Sequence, residues 1–133
     1  MSKSKDTATS QNIVDFSVKG IQEKKGTEIV VINLKNIGNA VASYFVICTG
    51  NSDTQVNAIA ESIEAEVYKN CKEDPWHKEG LQNKEWVLLD YVDVVIHIFK
   101  KEVREFYGIE DLWGDAEILE IEGAVEVKQK VSK

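Results

Sequence analysis

The sequence predicts one α/β domain, built as a mixed β-sheet of four to five strands with flanking helices. Short apolar runs rich in β-branched residues alternate with longer segments whose apolar residues recur every three or four positions. The 133 residues suffice for one hydrophobic core, and no internal repeat or second core is evident. The predicted order is helix, strand, strand, helix, strand, strand, helix.

The first half of the domain begins with a helix. Residues 1–10 are polar and predict a disordered tail, and from Ile13 the apolar positions follow a helical stripe that ends at Lys24-Lys25-Gly26. Residues 28–34 (EIVVINL) predict a strand because β-branched side chains dominate them. Residues 44–48 (YFVIC) are entirely apolar, which is typical of a strand covered on both faces.

A second helix follows the segment TGNSDTQ, residues 49–55. Ser52 and Gln55 have the spacing of a capping box, in which each side chain satisfies a free backbone N–H at a helix start. The apolar positions that follow fit a helical stripe up to Cys71, before Pro75. The polar stretch 77–84 then predicts an exposed loop.

The second half continues with two strands, residues 86–90 and 94–99, joined by Tyr91 and Val92 as a two-residue turn. A short helix carries Val103, Phe106 and Tyr107 on one face, Gly108 stops it, and a weak edge strand follows residue 116. The domain is therefore expected to span 11–122, followed by a polar tail at 123–133.

Charge and composition exclude several classes of function. The chain has 23 acidic and 16 basic residues and a formal charge of −7, which argues against broad binding to nucleic acid phosphates and favours a basic protein partner or plain solubility. No apolar run approaches the roughly 20 residues that span a membrane, and the polar start lacks a secretory signal, so a cytoplasmic location is predicted. Cys48 and Cys71 lack metal-binding spacing and are interpreted as thiols.

Asp90 and Asp93 are unexpected within an apolar hairpin. With Tyr91 and Val92 as the turn, the two carboxylates would face each other and repel. Three interpretations stay open at this point. Both acids cap a solvated turn, or they hold a divalent metal while Gly50 and Ser52 bind phosphates, or they form an acidic rim around an exposed aromatic that docks on a basic protein. Val92 complicates the turn, since a β-branched residue resists positive φ.

His97 alternates with Val95 and Phe99 and is interpreted as a core histidine. The other histidine, His77, lies in the predicted loop. No Ser/His/Asp or Cys/His arrangement follows from this spacing, so no catalytic residue is predicted.

Several spaced motifs together resemble a known family. They are YFVICTGNS (44–52), Gln55, EG (79–80), W-x-LLDY-x-D-VVIHIF (86–99) and REFYGIEDLWGDA (104–116). This combination, in this order, is similar to the ribosomal silencing factor, or Iojap-like, family and covers about residues 13–116. The resemblance implies a fold related to nucleotidyltransferases without their chemistry, and with no cofactor or metal.

The resemblance also implies a function. Members repress translation by binding the large ribosomal subunit at its fourteenth protein, which blocks joining of the small subunit. Little direct contact with nucleic acid and a homodimer in isolation are implied too. Carried over position by position, the docking residues are Trp86, Leu89, Asp90, Tyr91, Asp93, Arg104, Tyr107, Leu112 and Trp113.

Two departures and two alternatives accompany the resemblance. Many relatives have glycine where this chain has Val92, and arginine where it has Thr54. The first alternative is a metal-dependent nucleotidyltransferase that uses Asp90, Asp93, Gly50 and Ser52. The second is a dimerisation module that uses the edge of the sheet at Trp86.

Overall fold

The computed structural model describes residues 3–35, 37, 42–107, 117–121 and 129–131. The helices of this part are α1 (Lys3–Glu23), α2 (Asp53–Cys71) and α3 (Lys101–Tyr107). Its strands are β1 (Thr27–Asn33), β2 (Tyr44–Gly50), β3 (His77–Glu79), β4 (Trp86–Asp90), β5 (Val94–Lys100), β6 (Glu117–Ile121) and β7 (Gln129–Val131). The predicted α/β class and the order of the predicted elements are confirmed.

The strands form one mixed sheet in the order β3-β4-β5-β2-β1-β6-β7. At its centre β2 and β5 run parallel, with Tyr44 opposite Val94 and Gly50 opposite Lys100, and the other pairs are antiparallel. The seven strands found among the described residues exceed the predicted four to five because β3 and β7, three residues each, were not expected. All three residues of β3 are exposed, so backbone pairing with β4, rather than an apolar pattern, makes this segment a strand.

Both ends of the predicted domain extend further than expected. Helix α1 begins at Lys3, so the prediction of a disordered tail over residues 1–10 is wrong for residues 3–10. Neither glycine nor proline interrupts the helix before Gly20, and Ser10 is tied to the segment just before β5 because its Oγ donates to Asp93 Oδ2 at 3.3 Å. At the other end β7 lies inside the predicted polar tail 123–133 and pairs with β6.

Helices α1 and α2 pack together across one face of the sheet. At their crossing a Cβ on Gly20 would lie 2.9 Å from Ile63 Cα, and Ser62 Oγ donates to Gly20 O at 2.9 Å. The core of this face includes Ile21, Val46, Ile59, Ile63, Val87, Leu89, Ile96 and Ile98. Glycine at position 20 therefore permits the backbones of α1 and α2 to approach closely.

The opposite face of the sheet carries a second apolar cluster. Its buried residues are Val30, Ile32, Leu34, Ala42, Phe45, Ile47, Val95 and Phe99, with Val103 of α3 packed against them. Because the side chains of β2 contribute to both clusters, all seven of its residues are buried, as the apolar run at 44–48 predicted. None of the helices in the described part of the chain is long and apolar enough to cross a membrane.

Candidate functional site

The turn between β4 and β5 lies one residue later than predicted. Asp90 pairs with Val95, and Tyr91 N donates to Val94 O at 2.8 Å, so Val92 and Asp93 form the turn. Because neighbouring side chains in a strand point to opposite faces, this shift turns Tyr91 toward the helices, where it is only 7% exposed. The prediction that Tyr91 is an exposed aromatic at the tip is wrong, and burial raises the pKa of its hydroxyl.

Val92 is the exposed residue at the tip. Asp93 N donates to Tyr91 O at 2.9 Å, and Val92 between them has a φ of 77°, the geometry of a strained γ-turn. Its side chain is 58% exposed. For a β-branched residue this backbone costs about 1–3 kcal/mol. Burial of Tyr91 on one side and strand pairing on the other hold the turn in place.

Asp90 and Asp93 do not face each other across the hairpin. Asp90 Oδ1 accepts a hydrogen bond from Val92 N at 2.7 Å, while Asp93 Oδ2 accepts one from Ser10 Oγ at 3.3 Å. Among the described residues neither carboxylate forms an ion pair with lysine or arginine. The two acids are therefore separated and hydrogen-bonded locally, and their negative charge is not neutralised within this part of the chain.

The outward face of β4 carries Trp86, Leu88 and Asp90, each partly exposed, between the buried Val87 and Leu89. Leu89 is 0% exposed and packs under the helices, so its prediction as a docking residue is wrong. Leu88 takes its place on the surface. Sequence reasoning missed it because the apolar run from 86 to 89 does not reveal which positions point outward; the register with β5 decides this.

Trp86 belongs to the surface and the core at once. Its Nε1 donates to His97 Nδ1 at 3.1 Å, and its ring stacks on Phe99 with centroids 4.9 Å apart. The side chain is nevertheless partly exposed. One edge of the indole is thus fixed by the core, and part of the ring surface remains exposed.

His97 is a core histidine, as predicted. It is 4% exposed, and its ring meets Phe45 edge-on with centroids 4.7 Å apart. Burial lowers the pKa of the imidazole to about 4, so the ring is neutral near pH 7. Because Nδ1 accepts from Trp86, the proton resides on Nε2, which has no hydrogen-bond partner among the described residues.

Trp76 is a surface residue that the sequence analysis did not select. Its side chain is 77% exposed, and its backbone N–H donates to Asp90 O at 2.7 Å, which places it beside the tip. A shallow groove of about 290 Å³ is lined by Trp76, Asp90, Val92 and Val95. The signal in the sequence was a tryptophan inside the polar stretch PWHKEG, without apolar neighbours to bury it.

Arg104 is an internal residue. It is 7% exposed, and its Nη1 donates to Glu28 O at 2.6 Å and to Thr49 Oγ1 at 2.9 Å. Its predicted place on the docking surface is therefore wrong, because the guanidinium binds β1 and β2 instead. Tyr107 ends α3, but its side chain, like all of Leu112 and Trp113, lies outside the described residues, so these three predictions stay predictions.

The start of α2 uses its polar groups internally. Gln55 N donates to Ser52 Oγ at 3.1 Å, which confirms the predicted cap, and Gln55 Oε1 accepts from Asn51 N at 2.6 Å. Gln55 Nε2 also donates to the carbonyls that follow α1, at 3.0 and 3.1 Å. Lys100 Nζ lies 2.9 Å from Asp53 Oδ1, and this hydrogen bond raises the lysine pKa. These contacts leave the helix start capped without a ligand.

The alternative enzyme site is contradicted by the topology of the sheet. Asp93 precedes Val94 at one end of β5, whereas Gly50 lies opposite Lys100 at the other end. Six residue steps along a strand separate these ends by about 20 Å. The two acids and the Gly50–Ser52 segment therefore cannot hold one metal and its phosphate ligand. Within the described residues no group of three or more His, Cys, Asp or Glu side chains could hold a metal ion.

The alternative dimerisation site also needs correction. Strand β4, which contains Trp86, pairs with β3 on one side and β5 on the other. It is therefore not an edge strand. The edge beside it is β3, whose exposed residues include the charged Lys78 and Glu79, and charged side chains on an edge discourage pairing with another chain.

Comparisons with known proteins agree with this fold. The family model described as "Ribosomal silencing factor during starvation" matches residues 7–133. The ribosomal silencing factor RsfS of Halalkalibacterium halodurans is 38% identical over 117 residues, which cover 88% of this chain and 98% of the relative. A crystal structure of a protein from Chromobacterium violaceum superposes with a TM-score of 0.73 at 33% identity, covering 78% of this chain and 85% of that one.

A eukaryotic relative carries a more specific name. The mouse protein named "Mitochondrial assembly of ribosomal large subunit protein 1" is 31% identical over 103 residues. These residues cover 75% of this chain and 44% of the mouse protein. The shared part therefore corresponds to most of the present chain and to less than half of that relative.

Proposed function

The chain belongs to the family of ribosomal silencing factors, and from that premise we propose that it represses translation by binding the large ribosomal subunit. Contact is made with a basic ribosomal protein, the fourteenth of the large subunit, and the bound domain prevents joining of the small subunit. The name of the mouse relative, which refers to assembly of the ribosomal large subunit, supports the choice of subunit. The activity belongs to the cytoplasm, where the ribosomes are.

One observation carries the proposal: an apolar strip and two unneutralised carboxylates lie together on the outward side of β4 and its turn. Trp86 and Leu88 supply partly exposed apolar surface, Val92 extends it at the tip, and Asp90 and Asp93 supply the charge. Aromatic anchors beside charged residues are typical of protein interfaces. Leu89, Tyr91 and Arg104 leave the predicted docking surface because they point inward. Leu88 and Val92 join it, and Tyr107, Leu112 and Trp113 stay predicted parts of it.

The charge of the molecule favours contact with protein rather than RNA. A chain with a formal charge of −7 is repelled by ribosomal RNA phosphates. A basic ribosomal protein offers the complementary surface, and opposite charges accelerate its encounter with the acids at the tip. Binding is therefore expected to weaken as the salt concentration rises.

The mechanism is steric occlusion. A domain of 15.0 kDa bound where the two subunits meet needs no chemical step to keep them apart. The description of the family likewise names a silencing factor rather than a catalyst. The residues therefore need only to bind and to stay folded, and repression depends on the fraction of large subunits occupied.

Reversing the charge at the tip tests the proposal. The double variant Asp90→Lys with Asp93→Lys is expected to lose binding to purified large subunits by at least about tenfold, because two attractions become repulsions. Binding is measured by co-sedimentation through a sucrose gradient, and light scattering then reports whether small subunits join. Both side chains are partly or fully exposed, so the variant is expected to fold.

A matched control makes the same change in net charge elsewhere. Glu23→Lys with Glu61→Lys alters two exposed acids, one on α1 and one on α2, on the helical side of the molecule. This variant is expected to bind nearly as well as the unmodified chain. Full binding by the folded Asp90 and Asp93 variant, or equal loss in the control, would contradict the assigned surface.

A homodimer in isolation is a separate part of the proposal, taken from the family resemblance. Sedimentation equilibrium of the purified chain gives its mass directly. A mass of one chain at all concentrations would remove the homodimer while leaving ribosome binding untouched.

A further inference from the structure

We propose that the groove beside the tip binds one cationic side chain, arginine or lysine, from the ribosomal partner. The inference rests on the proposed function and adds to it the chemical group that the groove recognises. It also brings in Trp76, which lies outside the surface assigned above. The groove is lined by Trp76, Asp90, Val92 and Val95 and has a volume of about 290 Å³.

Backbone pairing fixes Trp76 next to Asp90. The amide of Trp76 donates to Asp90 O at 2.7 Å, and the following residue, His77, pairs with Asp90 in the β3–β4 ladder. The indole and the carboxylate are therefore held on adjacent positions rather than meeting by chance. With 77% of its side chain exposed, Trp76 contributes little to the core of this chain.

The lining of the groove matches the chemistry of a basic side chain. Val95, 8% exposed, and Val92, 58% exposed, provide apolar surface for the aliphatic stem of lysine or arginine. The charged end would then meet the indole face and the Asp90 carboxylate together, combining a cation–π contact with an ion pair. An anion would be repelled by Asp90, and a purely apolar group would bury this carboxylate without a cation to neutralise its charge.

The chain itself does not fill this position in its described part. Lys35 lies over the Tyr44 ring at 5.1 Å and Lys72 over the Tyr68 ring at 5.4 Å, so two of its tyrosines already have a cation of their own. Among the described residues no lysine or arginine lies over Trp76. The indole is thus available to a cation from outside.

The strained turn gives a second observation on one wall of the same groove. Val92 keeps a φ of 77°, which favours glycine, while its branched side chain forms one wall of the groove. Glycine would relieve the strain but remove the wall. Contact between the Val92 side chain and a bound cationic side chain would offset the strain of this turn.

Removing the indole tests the proposal. Trp76→Ala is expected to weaken binding to purified large subunits about tenfold, and Trp76→Phe to retain most of the affinity. The matched control is Tyr68→Ala, which removes an aromatic side chain of 51% exposure from α2 on the other face of the sheet. That control is expected to bind as the unmodified chain does.

A double-mutant cycle tests whether one cation meets both groups. Asp90→Asn keeps an oxygen to accept from Val92 N but removes the charge. If Trp76 and Asp90 hold the same cation, losing both costs less than the product of the two single losses, because the second change finds the contact already broken. Losses that simply multiply would overturn the shared site.

The outcomes separate this inference from the proposed function. If the Trp76→Ala variant binds large subunits as tightly as the unmodified chain does, the inference about the groove is wrong but the proposed function stands. Failure of the unmodified chain to bind large subunits overturns both. If Trp76→Ala instead turns a dimer into a monomer without changing ribosome binding, the groove receives a second copy of this chain and the inference is wrong.

Discussion

The polar groups at the two ends of strand β5 differ in whether they have partners within the fold. Near Lys100, the start of α2 is closed by the Ser52 cap, by Gln55 and by the ion pair with Asp53, so the polar groups find partners within the fold. Near Asp93, the turn presents carboxylates that no described cation neutralises and a strained, exposed Val92. The start of α2 resembles a ligand site, but capping contacts already satisfy its polar groups. The strained turn near Asp93, by contrast, leaves charged and apolar side chains exposed where a partner could bind.

The first and largest expected effect concerns the core along the middle of β5, where Trp86 donates to neutral His97. The folded-state pKa of about 4 lies below the ordinary 6.5, so protons bind more readily to the unfolded chain. The contribution of His97 is complete above pH 6.5 and is lost as the pH falls toward 4. The full difference is about 3 kcal/mol of unfolding free energy.

The measurement compares the chain with His97→Gln, which keeps an acceptor for Trp86 but does not titrate. Both proteins are denatured with urea at several pH values. The difference between their unfolding free energies cancels the contribution of the other titrating groups, which the two proteins share. The stability advantage of the histidine form is expected to shrink between pH 6.5 and 4. Parallel curves would mean that the imidazole is not held neutral by burial.

The second prediction concerns the end of β5 near Lys100, where Arg104 donates to Glu28 O and Thr49 Oγ1. Arg104→Met is expected to lower the unfolding free energy by about 2 kcal/mol, because two charged hydrogen bonds are lost and the buried Thr49 Oγ1 loses its charged donor. Ribosome binding by the folded variant should not change. Lys101→Ala, at an exposed position of the same helix, serves as the control with an effect below about 0.5 kcal/mol. Lost binding without lost stability would instead make Arg104 a surface cation.

The smallest expected effect is a gain in stability at the turn near Asp93. Val92→Gly is expected to raise the unfolding free energy by about 1 kcal/mol, since glycine adopts positive φ without strain. Val92→Thr keeps the branched shape and should show no such gain. Thermal or urea denaturation detects the difference, and a Val92→Gly protein that is less stable than the original would show that the turn is not strained.

Local patterns predicted much of the fold and part of the site. The periodic apolar residues of α2, the all-apolar strand at 44–48 and the Ser52 cap each depend on near neighbours, and the structure has all three. His97 was also predicted correctly, since alternation with Val95 and Phe99 sufficed to place it on a buried face. The family was recognised because several short motifs occur in order.

The remaining errors have long-range causes. Turn propensity alone could not decide between Tyr91 and Val92 at the tip; burial of Tyr91 under the helices decides it. Arg104 contacts a carbonyl 76 residues earlier in the chain, which no local pattern reveals. Strand β3 has no apolar alternation and owes its conformation to pairing with β4.

The parallel pairing of β2 with β5 has a consequence for how the molecule folds. Tyr44 meets Val94, fifty positions further along the chain, whereas the β1–β2 and β4–β5 hairpins close over short distances. Ordering a connection of this length costs about 3.5 kcal/mol of chain entropy before the central contacts form. The late event in folding is therefore expected to be the joining of two prefolded halves across the β2–β5 pairing.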